Sequence, residues 1–128
     1  MARFDKYDGI TGGFRVKLGF APVAADVGKV IPVEVNGSGV AVKAAANSTT
    51  ARGVICMTYQ MAQGDPIDCM TDGEIVDVNS VNTDVTGAVA GTVVKVGAAG
   101  TVDAAGTGRN VGWMVEAWRL IVRMGTGS

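Results

Sequence analysis

An all-β domain is the fold class this chain predicts, and three observations carry it. Valine recurs throughout while leucine occurs only at Leu18 and Leu120, a balance that suits half-buried pleated surfaces better than helical cores. Short β-branched runs in the middle, Gly53 to Tyr59, Ile67 to Met70 and Glu74 to Val78, are punctuated by Gly64-Asp65-Pro66 and Thr71-Asp72-Gly73. That is the pattern of consecutive strands joined by tight turns. The closing run alternates, with Trp118, Leu120, Val122 and Met124 on one face and Arg119, Ile121 and Arg123 on the other, as a half-buried strand requires. A length of 128 residues with 48% hydrophobic content supports one domain around one core.

The elements follow in order. Residues 1 to 20 hold Phe4, Tyr7, Phe14 and Phe20, four of the chain's five Phe and Tyr residues, spaced by Gly9, Gly12, Gly13 and Gly19. Aromatic anchors separated by glycines suit an arm that orders against a partner. The alternative is an ordinary first strand, Phe14 to Leu18, pairing within the domain. Val30 to Val35 alternates after Pro32, which cannot donate to a ladder, so this strand is expected to begin there or to lie at a sheet edge. Asn36-Gly37-Ser38-Gly39 signals a hairpin returning through Val40 to Lys43. The loop Asn47 to Thr50 leads to the middle strands, and Asn79 to Gly87 forms a polar loop. The segment Val33 to Ala44 echoes Val94 to Ala105, which suggests two similar hairpins in a pseudo-symmetric barrel or sandwich. Gly112 to Glu116 precedes the last strand, and residues 125–128 form a flexible tail. The expected division is therefore an arm over 1–20, a β domain over 21–124 and a tail over 125–128.

Charge narrows the function classes. The net charge of -1 lacks the clustered basic face that nucleic-acid binding needs, so no direct nucleic-acid partner is expected. Arg3, Lys6, Arg15 and Lys17 against Asp5 and Asp8 give the first twenty residues +2, which leaves -3 for the remainder. That basic end reads either as weak attraction to an acidic partner or as a solvated segment. No apolar run approaches the ~20 residues of a membrane span. Met1-Ala2-Arg3-Phe4-Asp5 has no apolar leader core, so Cys56 and Cys69 are expected as buried thiols from a reducing cytoplasm.

Catalytic constellations are missing from the sequence. There is no histidine, which removes the commonest general base and the preferred zinc ligand. The four serines, Ser38, Ser48, Ser80 and Ser128, sit in turn, loop or tail contexts, and no G-x-S-x-G elbow is present. Gly106 to Gly112 is one residue too long for a dinucleotide loop and opens a strand. The carboxylates Asp65, Asp68, Asp72, Glu74 and Asp77 suit calcium in kind but not in spacing, and outward strand and turn positions explain them more simply. No metal, cofactor or enzymatic activity is expected. Trp113 and Trp118 are candidates for a subunit interface or the core, with a sugar-stacking platform as a further reading.

The succession Gly53-Val54, Gln63-Gly64-Asp65-Pro66-Ile67 and Gly73-Glu74-Ile75-Val76-Asp77-Val78, with the ending Val111-Gly112-Trp113-Met114-Val115-Glu116, resembles the tailed-phage capsid decoration (head-stabilising, cement) proteins. The resemblance spans residues 21 to 124. It implies a small β-barrel or β-tulip-like single domain with an extended N-terminal arm, usually a homotrimer on the outer capsid surface of the virion. It also implies a non-enzymatic job, bridging subunits of the phage major capsid protein. The capsid-binding arm it implies carries Phe4, Tyr7, Phe14, Arg15, Lys17 and Phe20, adding a strand to the shell, while Trp113 and Trp118 stand as subunit-interface candidates. Other readings are a tail-tube or head–tail joining protein, or a small carbohydrate-binding β-sandwich.

Overall fold

In a computed structural model that describes residues 13–78, 85 and 88–125, the chain builds two β layers that divide at Thr71. The first layer contains β1 (Gly13–Leu18), β2 (Val30–Val35), β3 (Val40–Lys43), β4 (Gly53–Cys56) and β5 (Pro66–Met70). They close into a barrel in the order β1-β3-β2-β4-β5. The second layer is a five-stranded sheet of β6 (Asp72–Asp77), β7 (Val93–Val96), β8 (Val102–Asp103), β9 (Asn110–Glu116) and β10 (Arg119–Arg123), ordered β6-β10-β9-β7-β8. A short 3-10 turn at Ala24–Asp26 lies between β1 and β2. Among the described residues no helix is long and apolar enough to cross a membrane.

Two apolar clusters hold these layers. Val16, Leu18, Ile31, Val33, Ile55 and Cys69 fill the barrel interior. Val30, Val54, Val94, Met114, Leu120 and Val122 belong to the second cluster, where the barrel's outside meets the inner face of the sheet. Successive strand residues point to opposite faces, so a strand covered on both sides must be apolar at every position. β2 meets that condition: Val30, Ile31, Pro32 and Val33 are all buried.

Three expectations need correcting. Residues 13–20 are not a separate arm. β1 pairs antiparallel with β5 from Gly13↔Met70 to Lys17↔Pro66 and parallel with β3 at Lys17↔Val40 and Leu18↔Ala41. Its alternation buries Val16 and Leu18 inside the barrel, and burying two such side chains stabilises the closed form by several kcal/mol, roughly 1.5–3 each. The remainder of the expected arm, with Phe4 and Tyr7, lies outside the described residues.

β2 is also central and not an edge. Pro32 fits because its carbonyl accepts from Ala44 N–H at 2.9 Å on the β3 side, just past the last β2–β3 pair at Val33↔Lys43. The absent N–H therefore falls where that ladder ends. Thirdly, Trp118 does not share the face of Leu120 and Val122. It lies in the β9–β10 turn with φ 73°, and a bulge after Arg119 resets the register.

The Asn36 turn joins β2 to β3, with the Asn36 side chain accepting from Ser38 N–H at 2.9 Å and Gly39 at φ 78°. The two echoing segments are indeed hairpins, β2–β3 and β7–β8, one in each layer. Gly100 N–H donates to Ala44 carbonyl at 2.8 Å and Asn47 N–H to Gly97 carbonyl at 2.7 Å, so they dock to each other. Their following arginines diverge. Arg52 is exposed, whereas Arg109 donates to the carbonyls of Ala51 and Gly125 and ties the layers together.

Candidate interaction surface

The strand registers of the second sheet line up one apolar row on its outer face. Ile75 on β6 lies opposite Ile121 on β10, Ile121 opposite Trp113 on β9, and Trp113 opposite Val93 on β7. With strands spaced about 4.8 Å apart, four such side chains form a stripe roughly 15 Å wide. Ile75 is 45% exposed, Trp113 40% and Val93 46%. Their chain neighbours Met114, Val94 and Leu120 point the other way and are fully buried. Alternation thus leaves the row facing outward by construction.

Charge borders the stripe. At one end Arg119 lies opposite both Asp77 and Glu116, and it donates to Glu116 at 2.6 Å. At the other end Arg123 pairs with Asp72 at 2.8 Å. These pairs are about half exposed, so they add little to stability. An apolar centre with a paired, wet rim is the anatomy of a protein-binding patch. Contiguous exposed apolar surface of this kind marks interaction sites. Trp118, 45% exposed, lies in the β9–β10 turn next to Arg119, so one interface candidate belongs to the stripe and the other sits in the adjoining turn.

The barrel-side candidates are elsewhere. Phe14 and Phe20 pack partly buried against the barrel core. Arg15 is exposed and bonded to Asp68 at 3.2 Å, and Lys17 is exposed on β1. Phe20 lies under the Lys43 ammonium, 5.4 Å from the ring centroid, and Lys43 in turn bonds Asp26 at 2.8 Å. These residues brace the barrel and its first connection.

The middle carboxylates disperse. Asp65 accepts from Ala62 N–H at 2.9 Å within its turn, while Asp68 and Asp72 pair with Arg15 and Arg123. No group of three or more metal-ligating side chains gathers among the described residues. Cys69 is enclosed in the barrel, which pushes its thiol up to about 12. Cys56 is half-buried, and its thiol is likewise raised by burial. The Val54↔Met70 pairing sets Ile55 opposite Cys69, so Cys56 and Cys69 project to opposite faces of the strand pair. Both are free.

Ile75, Ile121 and Val93 belong to the stripe but do not stand out in the sequence. Each is an ordinary strand residue until the register sets it beside Trp113. The available signal was Ile121 between two arginines, the mark of an outward position.

Scans against known protein families and against curated proteins give no match. Among solved structures, the chain is similar to a protein of Mycobacterium phage Patience, with a TM-score of 0.63 and 18% identity. The similarity covers 95% of each chain. At that identity the likeness is one of fold, and both layers fall within it: the barrel and sheet described above are an architecture shared with a phage protein.

Proposed function

We propose that the chain is a non-enzymatic structural protein of a phage particle, carried on the outer surface of the capsid. There it stabilises the head by bridging subunits of the major capsid protein. The observation that carries this reading is the Ile75–Ile121–Trp113–Val93 stripe, an apolar surface on a rigid two-layer scaffold through which copies of the module join into the assembly that bridges the shell. The shared fold with a phage protein supports it, as does a sequence without histidine or a nucleophile elbow. A bridge needs contact area and stiffness, and several weak contacts on one module reinforce each other through effective concentration.

Copies of the chain associate as a homotrimer through the stripe. In a ring of three, the stripe of one copy meets a different patch on the next. Residues 1–12, with Phe4 and Tyr7, reach the shell.

Co-sedimentation tests the reading: the chain binds expanded heads of the phage that encodes it and leaves unexpanded shells bare. Trp113→Glu converts the trimer to monomer by analytical ultracentrifugation, with association weakened at least ~30-fold, the scale of a buried aromatic anchor. A chain that ignores heads but is retained on a glycan array through Trp113 would instead be a sugar-binding module.

A further inference from the structure

The β2–β3 turn sets a side-chain amide beside a backbone nitrogen, with little to shield either. Asn36, Gly37, Ser38 and Gly39 are all exposed. The Asn36 Oδ1 accepts from Ser38 N–H at 2.9 Å and from Val40 N–H at 3.4 Å. The first of these bonds closes a ring that folds the Asn36 side chain over the peptide joining it to Gly37. The two donors also draw electron density from the side-chain carbonyl, which makes Cγ more electrophilic and readies a place for negative charge on Oδ1. Gly37 has no Cβ to hinder its nitrogen, and a Cβ built there would meet nothing within 4 Å. Its N–H has no acceptor among the described residues.

The other described asparagines lack this combination. Asn47 is followed by Ser48, which is buried and whose N–H donates to the Ala45 carbonyl at 3.1 Å. The Asn47 Oδ1 is held away by Thr107 N–H at 3.1 Å. Asn110 is followed by Val111, fully buried in β9, where a branched side chain crowds the nitrogen.

We propose that Asn36 is a self-modification site, at which the Gly37 nitrogen attacks the Asn36 side chain and converts its amide to a carboxylate. The Gly37 nitrogen gives its proton to solvent base and forms a bond to Asn36 Cγ. Negative charge collects on Oδ1, where the Ser38 and Val40 N–H groups already point. Collapse then breaks the Cγ–Nδ2 bond, and the nitrogen leaves as ammonia after taking a proton from water. The cyclic imide left behind adds one water. Opening at Cγ gives aspartate in an unaltered main chain, whereas opening at the other carbonyl gives isoaspartate, with the main chain routed through Cβ and Cγ. Water is consumed, ammonia is released, and nothing is oxidised or reduced. Either product adds a negative charge to the end of the hairpin. The isoaspartate form also lengthens the main chain where Asn36 N–H bonds the Val40 carbonyl at 3.1 Å. The chemistry belongs to the turn alone and stands apart from any shell, so its failure and that of the capsid reading are separate observations.

Incubation of the full chain in mildly alkaline buffer, followed by peptide mapping with mass spectrometry, tests it. The peptide holding Asn36 gains the mass of an amide-to-acid exchange, in two chromatographically separate isomers. It does so at least ~10-fold faster than the peptides holding Asn47 or Asn110, a barrier difference of about 1.4 kcal/mol or more. The rate rises with pH, because the nucleophile must lose a proton. Gly37→Ala, whose added methyl enters open space, keeps the melting temperature and slows the conversion at least ~10-fold. Conversion of Asn36 no faster than that of Asn47 and Asn110 would overturn the proposal. So would a Gly37→Ala chain that converts at the unsubstituted rate.

Discussion

Trp118 is held at φ 73°, in the left-handed region that costs a non-glycine residue roughly 1–2 kcal/mol. The strain separates cleanly from the indole's own contacts if two truncations are compared. Trp118→Gly should be more stable than Trp118→Ala by roughly 0.5–1 kcal/mol in urea unfolding, the reverse of the usual order of these residues in strands. Equal stabilities would mean that the turn relaxes once the indole is gone. Asp26 carries a second residue-scale prediction. Burial alone pushes its carboxyl up, but the Lys43 ammonium, the Val23 N–H and the nearby charges of Lys43 and Lys29 together hold it below the ordinary carboxylate value. Glu34 is lowered as well, first by the Thr50 hydroxyl and then by Ala45 N–H. A carboxyl depressed in the folded state contributes stability above its unfolded pKa and loses it as pH falls through the folded value. Stability should therefore decline as pH drops below about 4, near the unperturbed carboxylate range. Asp26→Asn should cost about 1–3 kcal/mol at pH 7 and flatten that acid decline.

At the scale of elements, β9 and β10 approach so closely that a Cβ at Gly112 would run into the Ile121 carbonyl oxygen. Gly112→Ala should cost about 2–3 kcal/mol, an overpacking penalty with a backbone atom that cannot rotate away. Gly37→Ala, in open space, should stay within about 0.5 kcal/mol. Thermal or urea unfolding of the pair distinguishes close approach from a general effect of losing glycine. Local pattern made the strands of this chain legible: valine-rich runs, Asn-Gly and Asp-Gly turns, and the alternation from Arg119 to Arg123 are properties of neighbouring residues. Pairing was not legible, because it depends on residues far apart. Phe14 to Leu18 carries the same alternation whether it joins this barrel or a partner, and only its Gly13↔Met70 to Lys17↔Pro66 register decides. Pro32 misled because the side of the strand its nitrogen faces is set by where β3 stops. The stripe was half legible: Trp113 stands out by type, whereas its row partners are defined by three separate registers.

For the whole molecule, the two layers divide the labour. The barrel is closed around its own apolar interior, and the sheet rests one face on it through Val30 and Val54 while offering the other. Arg109 and the docked β2–β3 and β7–β8 hairpins pin the layers together, so the stripe is presented on a stiff support. Rigidity of that kind lowers the entropic cost of each contact made.

The division at Thr71 also sets a schedule. The barrel uses only residues 13–70 and the sheet only 72–123, so on the ribosome the first layer can close before the second has been translated. Its slowest step is the meeting of β1 with β5, some fifty residues apart, because the ordering entropy precedes the contact energy. Until the later strands arrive, Val30, Val54 and Met70 lie bare on the nascent barrel, and this is the interval in which the chain is most prone to aggregate.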